Sequence, residues 1–263
     1  TVVWKSRERL ASGEINYDEF MDIVASSAPS VGHCNTMGTA STMNSLAEAL
    51  GMTLPGGAAI PAPYRERGQN AYETGKRIVE MVWEDLVPAK IQTKSAFQNA
   101  IIVAMAMGCS TNAVIHIIAM ARRAGHDIGL DDFDAASRKI PVIANVRPSG
   151  DKYLMEDFYY AGGLLGLMSR LTDHLDLDCI NVSGLTWREC LKDAAIYNED
   201  VIRTLDNAIY QEGALAVLRG NLAPDGCVMK PSAAAPNLLK HTGPALVFDD
   251  YPSLKANIDR DDL

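Results

Sequence analysis

The sequence predicts an α/β protein, with a layered domain over residues 1–198 and a β-rich segment over residues 199–263. Three observations predict it. Helical apolar periodicity alternates with short extended apolar runs as far as Asn198. Beyond Asn198 the pattern changes to short β-like runs punctuated by Gly and Pro. The chain has 263 residues, 48% hydrophobic and 22% charged, which suits a packed core and argues against disorder.

The elements follow in order. Residues 5–26 carry helical spacing through Leu10, Ile15, Phe20, Ile23 and Val24, and Gly13 splits the run. PSVGHCNTMG (29–38) reads as a loop. Thr39 is placed to cap a helix reaching Leu50, with Gly51 closing it as a left-handed residue. The small face of that helix (Ala40, Ser41, Ser45, Ala47, Ala49) implies close backbone packing. LPGGAAIPAP (54–63) is a second loop, and residues 65–87 read as an amphipathic helix that Pro88 ends. Ser95 to Met107 is an apolar helix broken by GCST. Asn112 to Ala124 is the next, with Arg122 and Arg123 suited to its last turn and Gly125 to its end. IPVIANV (140–146) is predicted as a buried strand, residues 155–170 as a helix, and CINVSG as a short strand into a turn. Thr186 and Glu189 have capping-box spacing at a helix start. GALAVLRGNLAPDGCVMKPSAA and GPALVFDDY supply the β-like runs, with Ala-Pro-Asp-Gly read as a turn between two strands.

Composition narrows the function. Lys+Arg 24 against Asp+Glu 33 gives a formal charge of −9, which disfavours nucleic acid or an anionic membrane surface as partner. A local site can still oppose the global charge and take an anionic substrate. The five cysteines, Cys34, Cys109, Cys179, Cys190 and Cys227, form no CxxC pair and are odd in number, so a reducing cytoplasm is expected rather than a disulfide framework. TVVWKSRERLASGE has no signal-peptide pattern. The most apolar stretch, Ala100 to Ala121, is interrupted by Gly108, Ser110, Thr111, Asn112 and His116, so it reads as core and not as a membrane span.

Cys34 is the leading chemical candidate. It sits in a polar loop rich in Gly, Ser and Thr directly before a helix, and a thiolate at a helix N-terminus is stabilised by free N–H groups and the dipole. That placement suits a nucleophile or a metal or cluster ligand; the bland reading is an inert buried cysteine. A nucleophile needs a base. His33 is adjacent, while His116, His126, His174 and His241 show no readable spacing to it. GCSTNAVIH (108–116) is a second polar loop entering a helix, where Ser110 or Thr111 either caps the helix or faces an anionic ligand. The acidic pairs Asp131-Asp132 and Asp249-Asp250 read as solvated turns.

Four segments then carry a resemblance: GHCNTMGTASTMNSLAEALGMTLPG (32–56), GCSTNAVIHIIAMARRAG (108–125), DFYYAGGLLGLMSRL (157–171) and GNLAPDGCVMK (220–230). In this order they resemble the dihydroxy-acid dehydratase / phosphogluconate dehydratase superfamily. HCNTMGTAS and PAPYRERGQNAYETG resemble its sugar-acid (aldonate) branch more than its branched-chain biosynthetic branch. The resemblance implies a hydro-lyase that removes water from a 2,3-dihydroxy carboxylate to give a 2-keto-3-deoxy acid. It also implies a [2Fe-2S] cluster held by three cysteines and a Mg²⁺ ion, with Cys34 matching the third cluster cysteine. The remaining cluster cysteines, the Mg²⁺ ligands and a Ser/Thr base are expected outside residues 1–263, so the chain is expected to be an internal fragment. It would hold the later part of the α/β domain and the start of a β-barrel-like domain, of a protein that is a homodimer or homotetramer when full length. Ser110 and Thr111 are expected near substrate. Cys109 stands where the family more often has Gly and receives no role. The competing expectations are a branched-chain 2,3-dihydroxy-acid dehydratase, a non-catalytic remnant of the fold, and a cysteine-nucleophile enzyme centred on Cys34.

Overall fold

The computed structural model describes residues 2–28 and 30–260. The chain divides into two compact units, Thr1–Ser232 and Ala233–Leu263.

In the first unit, α1 (Val2–Ala11) and α2 (Tyr17–Ser26) are separated at Gly13, as their spacing predicts. Asn16 and Glu19 close a reciprocal capping box on α2. The central core is built on α3 (Thr39–Ala49), α6 (Lys94–Met107) and α7 (Asn112–Arg123). α6 is the axis of that core: ten of its fourteen side chains are buried, among them Phe97, Ile101, Val103, Met105 and Met107. Thr93 caps its start by accepting the Ala96 N–H, and Gly108, left-handed at φ 77, ends it. Of the small face of α3, Ser41, Ser45 and Ala49 are buried, with Thr42 beside them, while Ala47 is half-buried and Ala40 is exposed.

Several boundaries differ from the sequence reading. Thr39 is not the cap of α3: Gly38 is, and the Thr39 hydroxyl bonds across to another loop. α4 (Arg65–Trp83) ends before Pro88, where Asp85 turns left-handed (φ 52) and the Leu86 N–H reaches Met81 O. Pro88 instead opens the short helix α5 (Pro88–Ile91), because a missing N–H costs nothing in a first turn. After α8 (Leu130–Ser137), the helix expected over 155–170 is two, α9 (Met155–Tyr160) and α10 (Gly163–Ser169), broken at Gly162 (φ 122) and Gly163 (φ 60). The Thr186/Glu189 capping box forms at the head of α11 (Trp187–Cys190), over the fully buried Trp187.

The largest correction concerns β structure. IPVIANV is buried and extended, but it makes only isolated bridges, Val142 with Tyr210, Ala144 with Ile202 and Val146 with Tyr153. Cys179 likewise lies outside any strand, before the single bridge Ile180–Thr186. Among the described residues the sheet consists of two antiparallel strands, β1 (Ala216–Gly220) and β2 (Ala223–Met229). The turn falls at Asn221-Leu222, and Ala-Pro-Asp-Gly runs inside β2 beside a register shift. Helices with a small sheet are compatible with the α/β class. In the second unit, GPALVF carries no strand, and Asp250 caps α12 (Tyr251–Asn257) by accepting the Ser253 N–H.

Candidate active site at the Cys34 loop

Cys34 lies in an exposed loop, in no disulfide, with its sulfur over the start of α3; a β-carbon added at Gly38 would sit 3.8 Å from Sγ. The nearest polar partner of Sγ is the Thr36 hydroxyl, at 3.3 Å. Its neighbour His33 does not serve it as a base. The Asn44 amide lies 3.3 Å from His33 Nε2, and Nδ1 lies 2.9 Å from the Cys34 carbonyl, so Nδ1–H donates to backbone and both ring nitrogens are engaged away from the thiol. This geometry opposes the cysteine–histidine nucleophile.

The loop is fastened from distant segments. Asn35 is the main fastener: its carbonyl accepts the Met155 N–H (3.2 Å) and its side chain accepts the Glu156 N–H (2.9 Å), both in the first turn of α9. The Met37 N–H donates to Arg147 O (2.8 Å) and the Met37 side chain is fully buried. Asp200 secures the segment behind this contact, accepting Lys152 Nζ (2.7 Å), Tyr153 OH (2.9 Å) and Arg203 Nη2 (2.9 Å). Those donors hold its carboxyl well below the ordinary aspartate range.

The structure brings the two polar loops together. Thr39 Oγ1 and Ser110 Oγ are 3.1 Å apart, Asn112 Nδ2 donates to both (2.9 and 3.1 Å), and Ser110 N–H donates to Thr42 Oγ1 (3.1 Å). The Ser110 hydroxyl also accepts the Asn112 N–H at 3.3 Å, a weak capping contact. Thr111 is exposed and makes no side-chain cap. The GCST turn needs Gly108, since a β-carbon there would come 2.7 Å from Ser149 Oγ.

Lys230, unassigned in the sequence reading, pins this turn from the far end of the fourth motif. Its Nζ donates to Gly108 O (2.8 Å) and Cys109 O (2.9 Å), closing the C-terminus of α6, and Ser149 Oγ donates to Gly108 O as well. Burial holds the Lys230 ammonium below the ordinary lysine range. Cys109 is fully buried, and burial pushes its thiol up to about 12, which leaves it an inert packing residue. Beside the site, Glu48 of α3 is buried and accepts the Gly56 (2.7 Å) and Ala58 (2.6 Å) N–H groups, fixing the second loop. Tyr64 at the end of that loop donates to Glu156 on α9, and Tyr160 OH donates to Tyr64 OH (2.9 Å). Asn35, Glu48 and Lys230 had no sequence signal of their own beyond lying inside the quoted motifs.

Among the described residues no group of three or more His, Cys, Asp or Glu converges to hold a metal ion. One exposed, unpaired thiol beside a hydroxyl fits a single thiolate ligand of an iron–sulfur cluster. The described residues offer no carboxylate set that fits Mg²⁺.

Paired helix-entry loops, one carrying a free thiol and the other small hydroxyl residues, form a candidate loop-built site on a mostly helical scaffold. Two family models match the chain: the dihydroxy-acid/6-phosphogluconate dehydratase N-terminal model over residues 1–190 and the C-terminal model over residues 200–263. The chain belongs to that dehydratase family. It is 52% identical to an L-arabinonate dehydratase of Rhizobium leguminosarum bv. trifolii, over 100% of this chain and 46% of that protein. It is 52% identical to a 6-deoxy-6-sulfo-D-gluconate dehydratase of Pseudomonas putida, over 88% of this chain and 40% of that protein. A dihydroxy-acid dehydratase of Caldanaerobacter subterraneus is 43% identical over 95% of this chain and 45% of its own length. The chain thus spans less than half the length of these curated relatives. No helix among the described residues is long and apolar enough to cross a membrane.

Proposed function

We propose that the protein carrying this chain is a sugar-acid (aldonate) dehydratase, a hydro-lyase converting a 2,3-dihydroxy carboxylate to a 2-keto-3-deoxy acid. The observation that carries the reading is the exposed Cys34 thiol at the head of α3, in a loop bonded through Thr39 to the Ser110 loop. The sugar-acid branch is favoured over the branched-chain one by HCNTMGTAS and by 52% against 43% identity to relatives so named.

In this reading Cys34 is one ligand of a [2Fe-2S] cluster, which when bound supplies Lewis acidity toward the departing 3-hydroxyl. The chain's own residues prepare the place. Thr36 orients Sγ, Asn35 and Met37 hold the loop still, and Ser110 and Thr111 present hydroxyls to the sugar acid. Mg²⁺ and the base are assigned to residues outside this chain. The protein is read as a cytoplasmic homodimer or homotetramer without nucleic-acid or membrane partners. Its first domain, layered α/β/α, ends near residue 198, and a β-barrel-like domain begins at 199.

The test is Cys34→Ser in the full-length enzyme, read by iron and sulfide content, visible absorption and 2-keto acid formation from a panel of aldonates and a branched-chain 2,3-dihydroxy acid. The expected result is loss of cluster absorption and at least a hundredfold loss of turnover, with the parent preferring an aldonate. Full cluster content in the variant removes Cys34 as a ligand; parental preference for the branched-chain acid removes the sugar-acid assignment. Ser110→Ala and Thr111→Ala are expected to raise KM for the sugar acid several-fold, and unchanged kinetics in both return the loop to plain capping.

A further inference from the structure

The hydroxyls that tie the Cys34 loop to the GCST turn do not all have partners for their protons. A side-chain amide nitrogen carries two N–H donors, and a hydroxyl carries one donor and two lone pairs. Asn112 Nδ2 donates to Thr39 Oγ1 (2.9 Å) and to Ser110 Oγ (3.1 Å). Ser110 Oγ also accepts the Asn112 backbone N–H (3.3 Å), so both of its lone pairs are filled. The 3.1 Å contact between the two hydroxyls therefore runs one way, with Ser110 donating and Thr39 accepting. Thr39 Oγ1 then receives two protons, and its own has no acceptor among the described residues. Thr39 is left as a hydroxyl that can only donate, and Ser110 acts on a ligand through it.

That donor lies at the surface beside the thiol. Thr39 is exposed, and a β-carbon added at its neighbour Gly38 would sit 3.8 Å from Cys34 Sγ. With about 3.8 Å between successive α-carbons, Sγ is within roughly 9 Å of the Thr39 α-carbon. The helix does not use the hydroxyl, since Gly38 is the N-cap and no side chain caps α3. The inference rests on the reaction proposed above. That reaction commits the substrate's 3-hydroxyl to the cluster and its carboxylate and 2-hydroxyl to Mg²⁺. The oxygens left for this donor are hydroxyls from C4 outward, which an aldonate has and a branched-chain 2,3-dihydroxy acid lacks. We propose that Thr39 donates to a tail hydroxyl of the sugar acid and selects aldonates by that bond, with Asn112 as the positioning residue that turns its proton outward. A site built to bond a substrate hydroxyl discriminates strongly against the analogue that lacks it.

Steady-state kinetics of the full-length enzyme test it. The ligands are an aldonate, its single-deoxy analogues from C4 outward, and a branched-chain 2,3-dihydroxy acid taken as substrate or competitive inhibitor. Thr39→Val is expected to raise KM for the aldonate at least tenfold with a smaller change in kcat, and to leave the branched-chain acid within about twofold. Thr39→Ser, which keeps the donor, is expected to restore most of the aldonate affinity. One deoxy analogue is expected to bind the parent and Thr39→Val equally, which locates the partner oxygen. Asn112→Asp puts an acceptor where the amide donates and draws the Thr39 proton inward. It is expected to weaken the aldonate as Thr39→Val does and the branched-chain acid of equal charge much less. The proposal is overturned if Thr39→Val weakens both acids alike, if Thr39→Ser fails to rescue, or if every deoxy analogue stays sensitive to the change. A parent that prefers aldonates while Thr39→Val matches it overturns this inference alone. A parent that takes no aldonate overturns the dehydratase reading and this inference together.

Discussion

Glu48 is fully buried on α3, and burial lifts its carboxyl to about 7 against the opposing pull of the Ala58 and Gly56 N–H groups and of Arg67. A carboxyl near 7 when folded and near 4.5 when unfolded binds more protons in the folded state. Stability from this group is therefore fully present below about 4.5, falls as pH rises toward about 7, and is flat above, a change of roughly 3 kcal/mol. Glu48→Gln is expected to flatten that slope while losing one N–H acceptor; thermal midpoints measured across the window read both effects. The placement of Cys34 in an exposed loop ahead of α3 was legible in sequence because its signal is local: a polar loop followed at once by a helix. Glu48, Asn35 and Lys230 were not, because each acts on backbone groups that only folding brings near. The Asn35 side chain is 121 residues from the N–H it accepts, and a sequence pattern holds no record of such a partner.

At the scale of elements, helices of strong period were legible and their ends were less so. The Thr39 expectation failed because a hydroxyl at a helix start has two uses, and here the contact with Ser110 and Asn112 wins over capping. The single helix expected over 155–170 failed at the Gly162-Gly163 pair, whose positive φ values turn α10 away from α9. A β-carbon at Gly162 would also collide with Ala195 O. Gly162→Ala is accordingly expected to destabilise the protein by about 2 kcal/mol or more, unlike a helix-interior Gly→Ala change, which stabilises. Urea unfolding with unchanged m checks it.

For the whole molecule, the described helices and small sheet are compatible with the α/β class read from alternating patterns, but the extended segments of residues 1–198 that suggested the alternation do not pair into strands. IPVIANV has the composition of a central strand, yet its backbone bonds go to Ile209 and Tyr210, to Val201 and Arg203 and to the Ala106 carbonyl, so burial, the property that its residues encode, is met without a ladder. The β hairpin is tied to the helical core through Lys230. Lys230→Met is expected to leave the Cys109 carbonyl without its donor and to cost about 1–3 kcal/mol in chemical denaturation. Such ties have a consequence for biosynthesis. The Cys34 loop waits for a partner that lies 121 residues later in the chain, and the Ser110 turn for one equally far beyond it. At about 5–20 residues per second, a ribosome takes roughly 6–24 s to add each of these late partners. The Cys34 thiol thus emerges well before the contacts that fasten its loop to α9 can form.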